Sequence, residues 1–289
     1  MRRSPAAHFA KPFRRSVWTG IGVALTALGC APPGPATAES ATAAMRHSVD
    51  VGPPLSARIS YLRNGDATGP RVILVHGTPG SASGWADYVM KPPAGVEVVA
   101  LDRPGFGHSW PSGAVTGLAE QAAAVMALLP QDGRSVVLLG HSLGGPIVAY
   151  VAAQLAGEQP SRVHAVIVLA GALDPAQEVI HPMQYVGAWA PVQFLLPRTI
   201  RNANAELMAL KPELIALQAM LARIKSKVIL VHGTKDDLVP VANVPFMQAQ
   251  MTGARCLQTM LLEGRNHFLP WNAEDVVRDA IRSALEPAC

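Results

Sequence analysis

The sequence predicts an α/β fold built on a doubly wound, mostly parallel sheet. Three observations predict it: short apolar, β-branched runs recur along the chain, helical patterns separate them, and chemically interesting residues follow the ends of those runs. A chain of 289 residues with 49% hydrophobic and 15% charged side chains has the apolar material for one such core. Its 25 prolines and 5% aromatics belong to an ordinary globular protein, not to a disordered or collagen-like one. No apolar run reaches the roughly 20 residues of a bilayer-spanning helix, which argues against a polytopic membrane protein.

The N-terminus reads as an address. Arg2, Arg3, Lys11, Arg14 and Arg15 precede an apolar stretch from Val17 to Leu28, followed by small residues and prolines. That is the order of a secretory signal. Two exits are open. Ala27-Leu28-Gly29-Cys30 resembles a bacterial lipoprotein box, with leucine one place later than usual, and Ala36-Thr37-Ala38 offers an A-x-A site. Residues 1–29 are thus expected to be a signal peptide, of lipoprotein type or cleaved after residue 38, and 30–44 a linker. The domain is expected over 45–289, in an exported protein that is periplasmic, membrane-anchored or secreted. Five of the 24 Lys and Arg lie in the leader, which leaves 19 against 20 acids, so the +4 net charge belongs to the leader and nucleic-acid binding is not expected. Cys256 and Cys289 lack a C-x-x-C pattern, so no zinc framework is expected; whether they pair stays open.

Arg58–Leu62 alternates and reads as an edge strand ending in the turn Asn64-Gly65. Val72–Val75, Val96–Leu101, Val136–Leu139, Val163–Leu169 and Val228–Val231 are the apolar runs of buried parallel strands, with Leu257–Leu262 a further one. Thr116–Leu129, Pro146–Leu155 and Glu274–Leu285 read as helices. From Asp174 to about Ile224 no strand pattern appears, and Met183, Tyr185, Trp189, Phe194, Met208 and Met220 are set among prolines. We read about 175–224 as a small helical cap over the sheet's active edge, with two ordinary packing helices as the alternative.

Directly after Val136–Leu139 comes Gly140-His141-Ser142-Leu143-Gly144-Gly145, then a helix. This is G-x-S-x-G in its strand–turn–helix context, which lifts a serine above the sheet. A phosphate loop does not fit, since no Lys-Ser/Thr follows Gly145. A dinucleotide fingerprint fails because Trp110 stands where the last glycine after Gly105-Phe106-Gly107 belongs. A serine needs a base, and the base needs a carboxylate. Val228–Val231 runs into His232-Gly233-Thr234-Lys235-Asp236-Asp237, and Leu257–Leu262 into Glu263-Gly264-Arg265-Asn266-His267. Of nine histidines, His267 alone follows both the serine and an acid loop. Oxyanion donors are expected from the backbone N–H of Leu143 and, after Val72–Val75, of Thr78; Pro79 cannot donate.

Together His76-Gly77, Asp102-Arg103-Pro104-Gly105-Phe106-Gly107-His108-Ser109, the elbow, Gly233-x-x-Asp236 with Val239-Pro240, and His267 resemble the α/β-hydrolase fold superfamily, esterase and lipase branch. The match runs from about Arg58 to Leu285. The resemblance implies Ser142 as nucleophile, Asp236 as acid and His267 as base, with Asp237 and Asp174 as rival acids. Dehalogenases and epoxide hydrolases of this fold carry aspartate at the elbow, so serine there points to acyl transfer. The expected function is cleavage of carboxylic esters of small to medium, fairly apolar substrates through an acyl-enzyme. Other acyl or C–C bond hydrolysis, perhydrolysis, and a non-catalytic surface-anchored binding protein stay open. Trp85, Phe106, Phe268 and Trp271 are candidate substrate-lining residues. Asp102 and Arg103 are expected to form a structural ion pair, His76 and His141 to hydrogen-bond behind the site, and His108 and His232 to be satisfied loop or core histidines. No cofactor or metal is expected; the expected partners are a small-molecule ester and, through Cys30, a lipid anchor.

Overall fold

The computed structural model describes residues 35–53, 55–158, 162–287 and 289. The expected signal segment 1–29 and the lipobox Cys30 lie outside the described residues. The strands are β1 (Arg46–Val51), β2 (Ala57–Gly65), β3 (Arg71–Val75), β4 (Glu97–Leu101), β5 (Val136–His141), β6 (Val163–Leu169), β7 (Lys227–Gly233) and β8 (Cys256–Leu262). They form one sheet in the order β1-β2-β4-β3-β5-β6-β7-β8. β1 and β2 pair antiparallel at one edge, and β3 to β8 run parallel.

The continuous apolar runs conceal a period of two, because both faces of the sheet are covered. Ile73, Val75, Leu138, Val166, Val228 and Leu230 enter one buried cluster; Val72, Leu74, Val137, Leu139, Ile229 and Val231 enter the other. Four helices supply the first layer: α3 (Leu118–Met126), α4 (Gly144–Gln154), α7 (Arg198–Leu221) and α8 (Asn243–Gln250). The second comes mainly from α2 (Ala86–Met90), the short α9 (Leu269–Asn272) and α10 (Glu274–Leu285). α10 shows why a largely polar segment folds there. Val277, Ala280, Ile281 and Ala284 form a buried stripe, while Glu274, Asp275 in the first turn and Arg282 in the last suit the helix dipole.

Three expectations change. Residues 35–42 of the expected linker form helix α1 (Pro35–Thr42), and a 3₁₀ turn over Ala43–Met45 leads into β1, whose half-exposed, polar RHSVDV pattern concealed it. β2 continues through Asn64 and Gly65, where the sequence suggested a turn. The segment read as a cap is not of one kind. α5 (Pro182–Ala188) and α6 (Ala190–Leu195) have no buried residue, whereas α7 buries Leu210, Leu214, Leu217 and Leu221 in the main core. Each buried leucine contributes about 1.5–3 kcal/mol of burial free energy, so the C-terminal half of α7 is part of the body. Cys256 and Cys289 are joined by a disulfide, which ties the C-terminal residue to β8.

Candidate active site

The β5–α4 turn sets the serine. Ser142 has φ +54°, a left-handed conformation that costs a non-glycine residue energy and persists where the surroundings hold it. Its N–H donates to the Leu169 carbonyl (3.0 Å) and its own carbonyl accepts from Gly145 N–H (2.9 Å). Helix α4 starts at Gly144, where a Cβ would run into the Val75 carbonyl, so the helix approaches β3 as only glycine allows. Leu143 precedes it at the helix N-terminus, where N–H groups are unsatisfied by the helix. From the other side comes Gly77: a Cβ there would lie 2.7 Å from Ser142 Cβ and 3.2 Å from its Oγ. The Gly77–Thr78 peptide is therefore packed beside the serine, and Thr78 Oγ1 is buried without a hydrogen-bond partner.

The loops after β7 and β8 bring the acid and the imidazole together. His267 Nδ1 lies 2.8 Å from Asp236 Oδ2, and both residues are buried. Asp236 Oδ1 accepts from the N–H groups of Leu238 (3.0 Å) and Val239 (2.8 Å), so the carboxylate is held from three directions. With Nδ1–H donated to the carboxylate, Nε2 of His267 carries the lone pair a general base needs. The rival acids are elsewhere: Asp237 is exposed, and the Asp174 carboxylate accepts from Ala176 N–H in its own loop. Among the described residues no hydrogen bond joins Ser142 Oγ to His267; such contacts commonly tighten only once substrate is bound.

Two further histidines, His141 and His232, adjoin this pair, and a third, His76, precedes the Gly77 that packs on Ser142. His141 Nε2–H donates to the His267 carbonyl (3.0 Å), with the two rings 4.8 Å apart. Burial, and then the neighbouring His267, push the His141 pKa down to about 3. His232 Nε2–H donates to Val239 O (2.9 Å) and lies 3.5 Å from Asp236 Oδ2; burial lowers its pKa too. His76 is held well below the ordinary value by burial and by the Arg103 guanidinium.

The four candidate aromatics divide into two pairs. Phe268 stands beside the catalytic candidate, 5.9 Å from the His267 ring, and Trp271 lies against Phe268 and edge-on to His141 at 5.8 Å. Trp271 is 39% exposed and donates its indole N–H to Gly84 O. Trp85 and Phe106 correct the sequence reading: at 2% and 0% exposure they offer a substrate no surface. Trp85 packs edge-on to Tyr88, and Phe106 packs against His76 and beneath Arg103.

Asp102 and Arg103 do not pair with each other, as the sequence suggested. Asp102 accepts from Arg46 (2.8 Å) and from the N–H groups of Ala82 (2.7 Å) and His108 (3.1 Å). Arg103 pairs with Glu206 of α7, which sequence reasoning missed. A signal was present, since Glu206 interrupts the apolar stripe Ala203, Leu210, Leu214, Leu217, Leu221. Arg46 also meets Glu39 (2.7 Å), which accepts from Ser83 and lies 2.9 Å from His108 Nε2, so α1 is fastened to the loops beside the site. Among the described residues no group of three His, Cys, Asp or Glu is arranged to hold a metal.

The family model described as alpha/beta hydrolase fold matches residues 70–197. The chain is 29% identical over 239 residues to the pimeloyl-(acyl-carrier protein) methyl ester esterase of Aeromonas hydrophila, covering 69% of this chain and 89% of that one. It is 37% identical over 107 residues to the dihydrolipoyllysine-residue acetyltransferase component of the acetoin cleaving system of Cupriavidus necator, a stretch that is 37% of this chain and 27% of the relative. Among solved structures, a monoacylglycerol lipase of Paleococcus ferrophilus superposes with a TM-score of 0.63 at 20% identity, over 80% of this chain and 99% of the lipase. At that identity the likeness is one of fold.

Proposed function

We propose that the chain, which has the α/β-hydrolase fold and whose residues 70–197 match that family model, is a serine hydrolase of carboxylic esters. One observation carries the reading: the buried 2.8 Å contact between His267 Nδ1 and Asp236 Oδ2, in a chain whose elbow holds Ser142 at φ +54° on the turn into α4. Ser142 Oγ attacks the ester carbonyl carbon as His267 Nε2 takes its proton. The N–H groups of Leu143 and Thr78 receive the oxyanion of the tetrahedral intermediate. The C–O bond to the alcohol then breaks, His267 gives its proton to the leaving oxygen, and Ser142 is left acylated. Water attacks the acyl carbon, again losing its proton to His267, and the acid departs as Ser142 regains a proton. Asp236 keeps the imidazole in the Nδ1–H tautomer and stabilises the imidazolium formed in each half.

The substrate class is an uncharged, fairly apolar ester of small to medium size. Phe268 offers an apolar face next to the His267 imidazole and Trp271 one next to His141, and from Val179 to Pro197 the chain contains no Asp, Glu, Lys or Arg. In this reading the N-terminal segment directs export, ending either at a lipidated Cys30 or after Ala38; intact mass of the mature chain distinguishes the two.

A panel of p-nitrophenyl esters with wild type and Ser142→Ala tests the reaction. Turnover of short and medium acyl chains, with a fluorophosphonate labelling wild type and not the variant, is expected. Folded wild-type protein that neither turns over any ester nor takes the label rules the proposal out.

A further inference from the structure

The Arg103 guanidinium is fully buried and every partner it has is defined. Its Nε donates to His76 O (3.0 Å) and its Nη2 to Gly77 O (2.9 Å). Its other face forms a bidentate pair with Glu206, Nη1 to Oε1 at 2.6 Å and Nη2 to Oε2 at 3.0 Å. Gln121 of α3 fixes the carboxylate in turn, its Nε2 donating to Glu206 Oε1 (3.0 Å) and Val115 O (2.8 Å). The relay runs from α3 and α7 through Glu206 and Arg103 to two consecutive carbonyls.

Gly77 O is the informative end. It belongs to the same peptide unit as the Thr78 N–H, and in a planar trans peptide the C=O and N–H point in opposite directions. A group that fixes one therefore fixes the other. Gly77 O accepts from Arg103 and also lies 2.7 Å from His76 Nδ1. His76 Nε2 meanwhile accepts the backbone N–H of Arg103 (3.0 Å), so the ring is neutral with its proton on Nδ1. Rotating the peptide forfeits both hydrogen bonds, one of them charge-assisted. The same peptide lies against the Ser142 side chain, where a Gly77 Cβ has no room.

We infer that Arg103, oriented by Glu206, is a positioning residue of the oxyanion site: it holds the Gly77–Thr78 peptide so that the Thr78 N–H faces the reacting carbonyl oxygen. The inference rests on the proposed hydrolytic reading, with Thr78 N–H as an oxyanion donor. It makes α7 part of the machinery, since α7 supplies the carboxylate that sets the guanidinium plane. A purely structural role predicts something else. Exchanging a buried ion pair for apolar residues of similar volume is often neutral or stabilising, whereas removing one partner strands a charge.

The test is therefore the charge-neutral double variant Arg103→Met with Glu206→Leu, accompanied by Glu206→Gln, each in the full chain. Expected for the double variant are a melting temperature at or above that of wild type, KM within about twofold, and kcat lower by about tenfold to a hundredfold, below the cost of losing an oxyanion donor outright. Affinity for an alkylboronic acid, which forms a tetrahedral serine adduct, should fall by the same factor as kcat. Glu206→Gln keeps the side-chain shape and should show the same pattern to a lesser degree. Wild-type kcat and boronate affinity in either folded variant overturn the inference. So does a loss of activity that tracks the unfolded fraction while the folded molecules bind boronate normally. Wild type that lacks turnover and fluorophosphonate labelling would instead remove the hydrolytic reading on which the inference stands.

Discussion

The buried imidazole of His141 gives a prediction whose size follows from the structure. It packs against His267 and, edge-on, Trp271, and its Nε2–H is committed to the His267 carbonyl. Its pKa is pushed down to about 3, by burial first and then by His267, against 6.5 when free. A base whose folded pKa is depressed holds fewer protons in the folded than in the unfolded chain. Its stabilising contribution is complete above pH 6.5 and is lost as pH falls from there toward 3. Between pH 7.5 and 5.0 the loss from this one group is about 2 kcal/mol, a sizeable part of an ordinary stability of about 5–15 kcal/mol. The perturbation is His141→Gln, whose amide N–H can keep the bond to the His267 carbonyl but does not titrate. Urea unfolding at both pH values is the assay. Wild type should lose about 2 kcal/mol more than the variant over this interval. His76 and His232, also depressed, titrate in both proteins and largely cancel in the difference. Equal losses in the two proteins would refute the claim that folding keeps His141 neutral.

Four other outcomes follow from the geometry. Asp236→Asn removes the acceptor that sets the His267 tautomer and should lower kcat by about 10⁴ with little change in KM, read in steady-state ester kinetics. Gly77→Ala places a Cβ 2.7 Å from Ser142 Cβ, so kcat and fluorophosphonate labelling should both fall in protein that remains folded by circular dichroism. Trp271→Ala takes an exposed ring from beside His141 and should raise KM for medium-chain esters more than for acetate esters. Cys256→Ser opens the link from β8 to the C-terminal residue, and denaturant titration should show a loss of about 2–4 kcal/mol.

The parts of the site that lie at strand ends were legible, and the reason is physical. Buried parallel strands must be short and apolar, so Val136–Leu139 and Val228–Val231 stand out, and the glycines around Ser142 mark a turn that a Cβ would obstruct. What followed those strands could then be assigned by order. β1 was not legible because an antiparallel edge strand exposed on one side carries polar residues, as RHSVDV does. α8, with Pro245 in its first turn, has too weak an apolar stripe for its eight residues to announce a helix. Arg103 with Glu206 was invisible for another reason: the partners are separated by 103 residues, and local pattern carries nothing about which distant carboxylate a buried guanidinium will meet. Asp102 and Arg103 are adjacent in sequence and were expected to pair. Each instead turned to a partner from another element, Arg46 of β1 and Glu206 of α7.

The acceptor each ring meets explains how, in the proposed reaction, one imidazole among several serves as the base. His76, His141, His232 and His267 all lie buried close to the elbow, and composition alone does not rank them. What separates them is the acceptor each N–H meets. His141 and His232 donate to backbone carbonyls, of His267 and of Val239, and His76 to that of Gly77; a neutral carbonyl stabilises an added proton poorly in a buried site. Only His267 gives its Nδ1–H to a carboxylate at 2.8 Å, and that carboxylate's other oxygen is occupied by two backbone N–H groups. In the proposed reaction that carboxylate marks His267 as the acceptor of the Ser142 proton, while burial lowers the pKa of the other three rings. Moving the carboxylate by one position, to the exposed Asp237, would remove that distinction and leave four imidazoles with no reason for any one to act as base.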